Sequence, residues 1–296
     1  VKEGIVMFKS KKLVLLLLTG LAVLSFSGCK NQDKSKEISS QKPIVAVAIP
    51  PLKAFVEAVC GDNMEVITII PPGNSPENYE PTPKEKEEFS KAKIYFSIGV
   101  PTEEANVLPN VAPKTQVIYL EKEVAKKFDD IKIGEGRDPH IWVSPKRAAV
   151  MVEVIAKEIS LIDSENAKIY EENANKYLEE LKSVDEEMST ILSEITNKKI
   201  IVFHPAFGYL AQDYGIEMYA LEEEGKESTA KHLAEMIDFA KKENIKVIFY
   251  QAEIDSSQSK AFAEEIGGKT VMLSPLAENY IENLRLMAQT MKEAMN

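Results

Sequence analysis

The sequence predicts an α/β protein of two lobes, each built from parallel-sheet α/β units, joined by one long backbone helix. Three observations predict it. Short apolar runs alternate with helix-like stretches in two separate series. A long amphipathic stretch divides those series. Several polar loops rich in Pro, His and Glu follow the apolar runs, where ligands bind in open α/β sheets.

The first series of strand-like runs is Ile44 to Ile49, Met64 to Ile69, Ile94 to Ile98 and Val117 to Leu120. The second is Ile200 to Phe203, Glu217 to Ala220, Val247 to Tyr250 and Thr270 to Leu273. Helical patterns such as Pro51 to Cys60, Lys84 to Lys91 and Ser228 to Glu243 lie between them. This alternation implies parallel sheets covered on both faces.

Between the two series, Asp163 is placed to cap a long helix. Its apolar positions are Tyr170, Ala174, Tyr177, Leu181, Val184, Met188, Ile191 and Ile195, in steps of four and three that keep one face apolar. About 30 residues at 1.5 Å each give roughly 45 Å, enough to run along two lobes. The same spacing fits the seam of a dimeric coiled coil. The α/β units on both sides offer surfaces for that face, so an intramolecular spine in a monomer is expected. The domain reading is therefore a first lobe at 43–162, a linking helix at 163–197 and a second lobe at 198–296.

The N-terminus indicates location. Lys9, Lys11 and Lys12 precede the apolar run Leu13 to Phe26, which ends in Ser27-Gly28-Cys29. A basic segment, a short apolar segment and small residues describe a secretory signal, expected here over 1–28. The run is shorter than the ~20 apolar residues a membrane span needs. Cys after Ser-Gly resembles a bacterial lipobox, which implies lipidation of Cys29 and a lipid anchor on the outside of the bacterial cell membrane. The polar stretch 29–42 reads as a flexible tether. With Cys29 lipidated, Cys60 has no disulfide partner and is expected to be a small buried hydrophobe.

The chain carries 36 basic and 47 acidic residues, a formal charge of −11. Such a surface disfavours nucleic acid and attracts cations at long range. Only three histidines are present. Two sit in Asp138-Pro139-His140-Ile141-Trp142 and Phe203-His204-Pro205-Ala206-Phe207, at the ends of apolar runs beside Pro. A third loop, 71–83, carries Glu77 and Glu80 on a Pro-stiffened turn. Neutral imidazoles and a carboxylate from separate loops form the ligand set of a first-row divalent metal. Glu80 and Asp138 are candidates to orient ligands. Trp142 is expected to pack in the cleft wall, His232 to face solvent on a helix, and Glu222-Glu223-Glu224 to form a solvated loop.

The lipobox, Ser75-Pro76-Glu77-Asn78-Tyr79-Glu80-Pro81-Thr82-Pro83, the Asp-Pro-His segment and Phe-His-Pro-Ala-Phe-Gly-Tyr-Leu occur in that order. This resembles the zinc/manganese solute-binding lipoproteins of ABC importers, the ZnuA/TroA type, from Pro43 to Asn296. The resemblance implies metal held between two lobes and delivered to a membrane permease. It implies His140 and His204 as ligands, with Glu77 standing where the family has a histidine. It implies a further acidic ligand after Tyr250, for which Glu253 and Asp255 are nearby candidates. The family's His-rich loop is missing, because Glu121 to Arg137 holds no histidine. No catalytic cofactor is expected; Zn²⁺, or alternatively Mn²⁺, is cargo. The rival reading is an extracytoplasmic metallohydrolase using the same His/His/carboxylate set with an open water position. The absence of His-Glu-Xaa-Xaa-His and of a nucleophile elbow counts against it.

Overall fold

A computed structural model describes residues 42–222, 228–254 and 257–296. The expected signal, Cys29 and most of the tether lie outside the described residues, as does Asp255. In the first lobe, strand β1 (Ile44–Val47) leads to helix α1 (Pro50–Cys60), then β2 (Glu65–Thr68), α2 (Pro83–Phe89), β3 (Ile94–Ser97), β4 (Gln116–Tyr119) and α3 (Leu120–Val124). A two-residue-per-strand hairpin follows, β5 (Lys132–Ile133) and β6 (Gly136–Arg137), and then α4 (Pro145–Ile162). Helix α5 (Ala167–Ser193) crosses to the second lobe. There β7 (Lys199–Val202), α6 (Gly208–Asp213), β8 (Glu217–Ala220), α7 (Ala230–Lys242), β9 (Val247–Tyr250), α8 (Ser257–Glu265), β10 (Lys269–Met272) and α9 (Tyr280–Met295) complete the chain.

All eight expected strands form. They make two four-stranded parallel sheets, ordered β2-β1-β3-β4 and β10-β9-β7-β8. Numbered within its own lobe, each sheet has the order 2-1-3-4. In such a sheet the chain reverses direction between the first and third strands, and ligand crevices open there at the carboxyl ends.

Local chemistry explains the element boundaries. Pro50 and Pro51 occupy the first turn of α1, where missing N–H groups cost nothing, and Gly61 ends it in the left-handed region at φ 53°. Thr82 and Glu85 form a reciprocal capping box on α2. Ser144 caps α4 by accepting from the Arg147 N–H. Cys60 is buried, with its thiol pushed up to about 11 by desolvation, as fits an inert core sulfur.

The long helix is shorter at both ends than the expected 163–197, running from Ala167 to Ser193. The Asp163 carboxylate accepts from the Asn166 side-chain amide and the Tyr170 hydroxyl, so it staples a short 3₁₀ turn at Ser164–Asn166 instead of capping α5. At about 1.5 Å per residue the 27-residue helix is still roughly 40 Å long. Its N-terminal half meets the first lobe, where Asn173 donates to the Val59 carbonyl and Tyr177 packs on Phe55. Its C-terminal half meets the second, where Tyr214 donates to Asp185 and Arg285 to Glu187. Tyr170, Ala174, Leu181, Val184 and Met188 are buried within the chain, so the apolar stripe is an intramolecular spine and not an open seam. One continuous core joins both lobes through this helix, while a smaller cluster lies behind the second sheet. No helix among the described residues is long and apolar enough to cross a membrane.

Candidate metal centre

Glu77, His140 and His204 come together in the cleft between the lobes. His204 follows β7, the switch-point strand of the second sheet, two residues past its end. Glu77 lies on the loop after β2. His140 follows the β5–β6 hairpin, an element the sequence pattern did not anticipate. Glu77 Oε1 lies 3.8 Å from His140 Nε2 and 3.7 Å from His204 Nε2, and the two Nε2 atoms are 3.3 Å apart. Among the described residues this is the one group of three or more His, Cys, Asp or Glu side chains that could share a metal ion.

Each imidazole is held by a carboxylate behind it. His140 Nδ1 pairs with Asp138 Oδ1 at 2.8 Å, and the same oxygen accepts the His140 backbone N–H at 2.9 Å. His204 Nδ1 pairs with Glu222 Oε2 at 2.5 Å. A carboxylate can only accept from Nδ1–H, and a ring so held offers its Nε2 to the cleft. Two ring nitrogens and a carboxylate oxygen thus converge on one small volume.

Glu222, expected in a solvated loop, is instead nearly buried and bonded to His204, while Glu223 and Glu224 lie outside the described residues. The parallel register could have found it. Val202 pairs with Ala220, so continuing two residues places His204 beside Glu222. Asp138 bonds both the ring and the backbone N–H of His140, whereas Glu80 is exposed and has no place in these bonds. Trp142 packs its ring 5.1 Å from that of His140, and its Nε1–H donates to the Pro275 carbonyl. His232 does not simply face solvent: it is half-buried, with Nε2 at 3.2 Å from the Ala220 carbonyl. Glu253 is not part of the convergent group. Its Oε2 is buried with no partner among the described residues, and desolvation raises its pKa.

The triad sits in a cleft of about 680 Å³, also lined by Glu104, Glu121 and Arg137. Burial pushes the Glu121 carboxyl up to about 7. Arg137 ties the histidine loop to the first sheet: Nη1 donates to the Asp138 carbonyl, and Nη2 to those of Ile98 and Gly99. That β3 loop is itself fixed by fully buried Glu103, which accepts from the N–H groups of Ile98, Gly99 and Val100. Desolvation raises the Glu103 pKa. From the other lobe, the Tyr209 hydroxyl donates to the Asp138 carbonyl and accepts from the Ile131 N–H.

Fold and site together define a two-lobed cleft protein whose cleft gathers two ring nitrogens and a carboxylate oxygen that could hold a metal ion. Residues 45–294 match the family model of ZnuA, the periplasmic component A of a zinc-uptake complex, and the chain belongs to that family. It is 28% identical to the zinc-binding protein AdcA of Streptococcus pyogenes serotype M3, over 90% of this chain and 56% of that protein. A putative metal-binding protein of Chlamydia muridarum is also 28% identical, over 94% of this chain and 98% of its own length. The chain thus spans about half the length of the AdcA protein and nearly all of the chlamydial one. A crystal structure of ZnuA superposes with a TM-score of 0.81 at 32% identity, covering 86% of this chain and 100% of that one. The zinc-binding protein TroA of Treponema pallidum shares the fold, with a TM-score of 0.80 at 18% identity. None of these relatives supports the metallohydrolase reading.

Proposed function

We propose that this protein captures a divalent transition metal outside the cytoplasm and delivers it to an ABC import permease. The observation that carries the proposal is the convergence of Glu77 Oε1 with the two imidazole Nε2 atoms, each ring backed by its own carboxylate. Relatives named as zinc-binding, one of them a lipoprotein of Streptococcus pneumoniae, support both the cargo and the location. In this reading Glu77, His140 and His204 are the ligands, and Asp255 or water completes the sphere. The protein acts as a monomer, tethered through lipidated Cys29 after removal of a signal peptide. Zinc is favoured over manganese, because two imidazoles select the later ion and one carboxylate narrows the preference without reversing it.

Competitive titration of metal-stripped protein with both ions tests the proposal. The parent should bind one equivalent, zinc more tightly than manganese. Glu77→Gln should weaken zinc on the order of tenfold or more, because a neutral amide replaces an anion beside a dication. Glu77→His should restore zinc affinity and widen the gap to manganese. Parental affinities for both ions in both variants would place Glu77 outside the ligand set.

A further inference from the structure

Gly208 opens α6 in the second lobe and faces the Asp138 carboxylate of the first. A β-carbon at Gly208 would lie 2.6 Å from Asp138 Oδ2, well inside van der Waals contact, while Ile131 Cδ1 and Met218 Cε would both be at an ordinary 3.7 Å. The conflict is with the carboxylate alone. That carboxylate has little room to yield. Asp138 is fully buried, its Oδ1 accepts both the backbone N–H and the Nδ1–H of His140, and its Oδ2 has no hydrogen-bond partner among the described residues. Among the described residues Oδ2 is therefore located by packing against Gly208. A carboxylate is a rigid plane, so pushing Oδ2 away from Gly208 swings Oδ1 off the His140 ring.

We propose that Gly208 is a positioning residue for the metal centre: its missing side chain seats Asp138 and, through Asp138, sets the tautomer and angle of the His140 imidazole. The inference rests on His140 being a metal ligand. It also makes the site depend on how closely the second lobe approaches the first, since the seat and the carboxylate come from different lobes.

The experiment compares four full-length proteins: the parent, Gly208→Ala, Asp138→Ala and the double variant. Each is measured for zinc affinity against a chromophoric chelator and for the melting temperature of the metal-free form. The parent and Gly208→Ala are also measured for the ¹⁵N spectrum of the His140 ring. Gly208→Ala should weaken zinc about 10- to 100-fold, the range for losing a group that orients a ligand. In the Asp138→Ala background the same substitution should change zinc affinity by less than about twofold, because the two sites act through one contact. The metal-free parent should show the Nδ1–H form of His140, and Gly208→Ala should lose it. Should Gly208→Ala also lower the melting temperature, removing the Asp138 carboxylate should bring it back to the Asp138→Ala value. Parental zinc affinity in Gly208→Ala, or an equal loss in both backgrounds, would overturn the proposal. A parent that binds no zinc would defeat the metal reading instead, while the melting and ¹⁵N comparisons would still report on the contact.

Discussion

Zinc should raise the melting temperature of the parent by roughly 8–16 °C, and His140→Ala or His204→Ala should remove most of that gain. Ligand binding to the native state adds about 4 kcal/mol at a thousandfold excess over Kd. In a chain of this size, each kcal/mol moves the melting point by roughly 2–4 °C. Each substitution deletes one of the two nitrogen donors and leaves the carboxylate behind it without its ring partner, Asp138 in one case and Glu222 in the other. The metal-free melting points of both variants should therefore fall as well, which is why the zinc-induced shift and not the absolute value is the quantity to compare. A parental shift in both variants would mean that the ion binds elsewhere.

The second large effect concerns stability and not metal. Arg147 on α4 is 3% exposed and reaches into the second lobe, where Nη1 meets Asp213 Oδ1 at 3.0 Å and Nη2 meets Gln212 Oε1 at 3.0 Å. Its guanidinium also lies over the rings of Tyr209 and Phe128. Removing one member of a buried pair strands the other charge, at about 3–5 kcal/mol. Arg147→Met should therefore cost that much in urea unfolding of the metal-free protein. Changing Asp213 to Leu in the same chain should recover much of the loss, because an apolar pair of similar volume can replace a buried ion pair. A loss below about 1 kcal/mol for Arg147→Met would show that the pair is exposed to water in solution and does not hold the lobes together.

Much of the fold was legible because its signals are local. Runs such as Ile44 to Ile49 and Ile200 to Phe203 are short, β-branched and flanked by helical patterns, and all became strands. The spine was legible from its four-and-three spacing. The helix Pro145–Ile162 was not singled out, although Ser144 before Pro145 is an ordinary start signal and Lys146, Glu153, Lys157 and Leu161 form an exposed stripe opposite its buried face. The β5–β6 hairpin escaped because two-residue strands carry no periodicity. Its effect on the site is large, since Arg137 and Asp138 leave directly from it.

At the site, residue type and motif were enough to single out Glu77, His140 and His204, which the fold brings together. The supporting layer was less legible. Asp138 is two residues from its histidine and could be guessed, whereas Glu222 meets His204 only through strand register, 18 residues away. Gly208 carries no chemical signal at all. Its role follows from a distance across the lobe boundary that a linear pattern does not contain. Register and cross-lobe packing are tertiary properties, and these residues owe their functions to them.

Zinc K-edge X-ray absorption of the loaded protein reads the ligand set itself. The parent should show only nitrogen and oxygen neighbours, at about 2.0–2.2 Å, with outer-shell scattering from two imidazoles. His204→Ala should show one imidazole, and no variant should show sulfur, since Cys60 is buried in the first-lobe core. Two imidazoles persisting in His204→Ala, or a sulfur scatterer at about 2.3 Å in the parent, would contradict that ligand set.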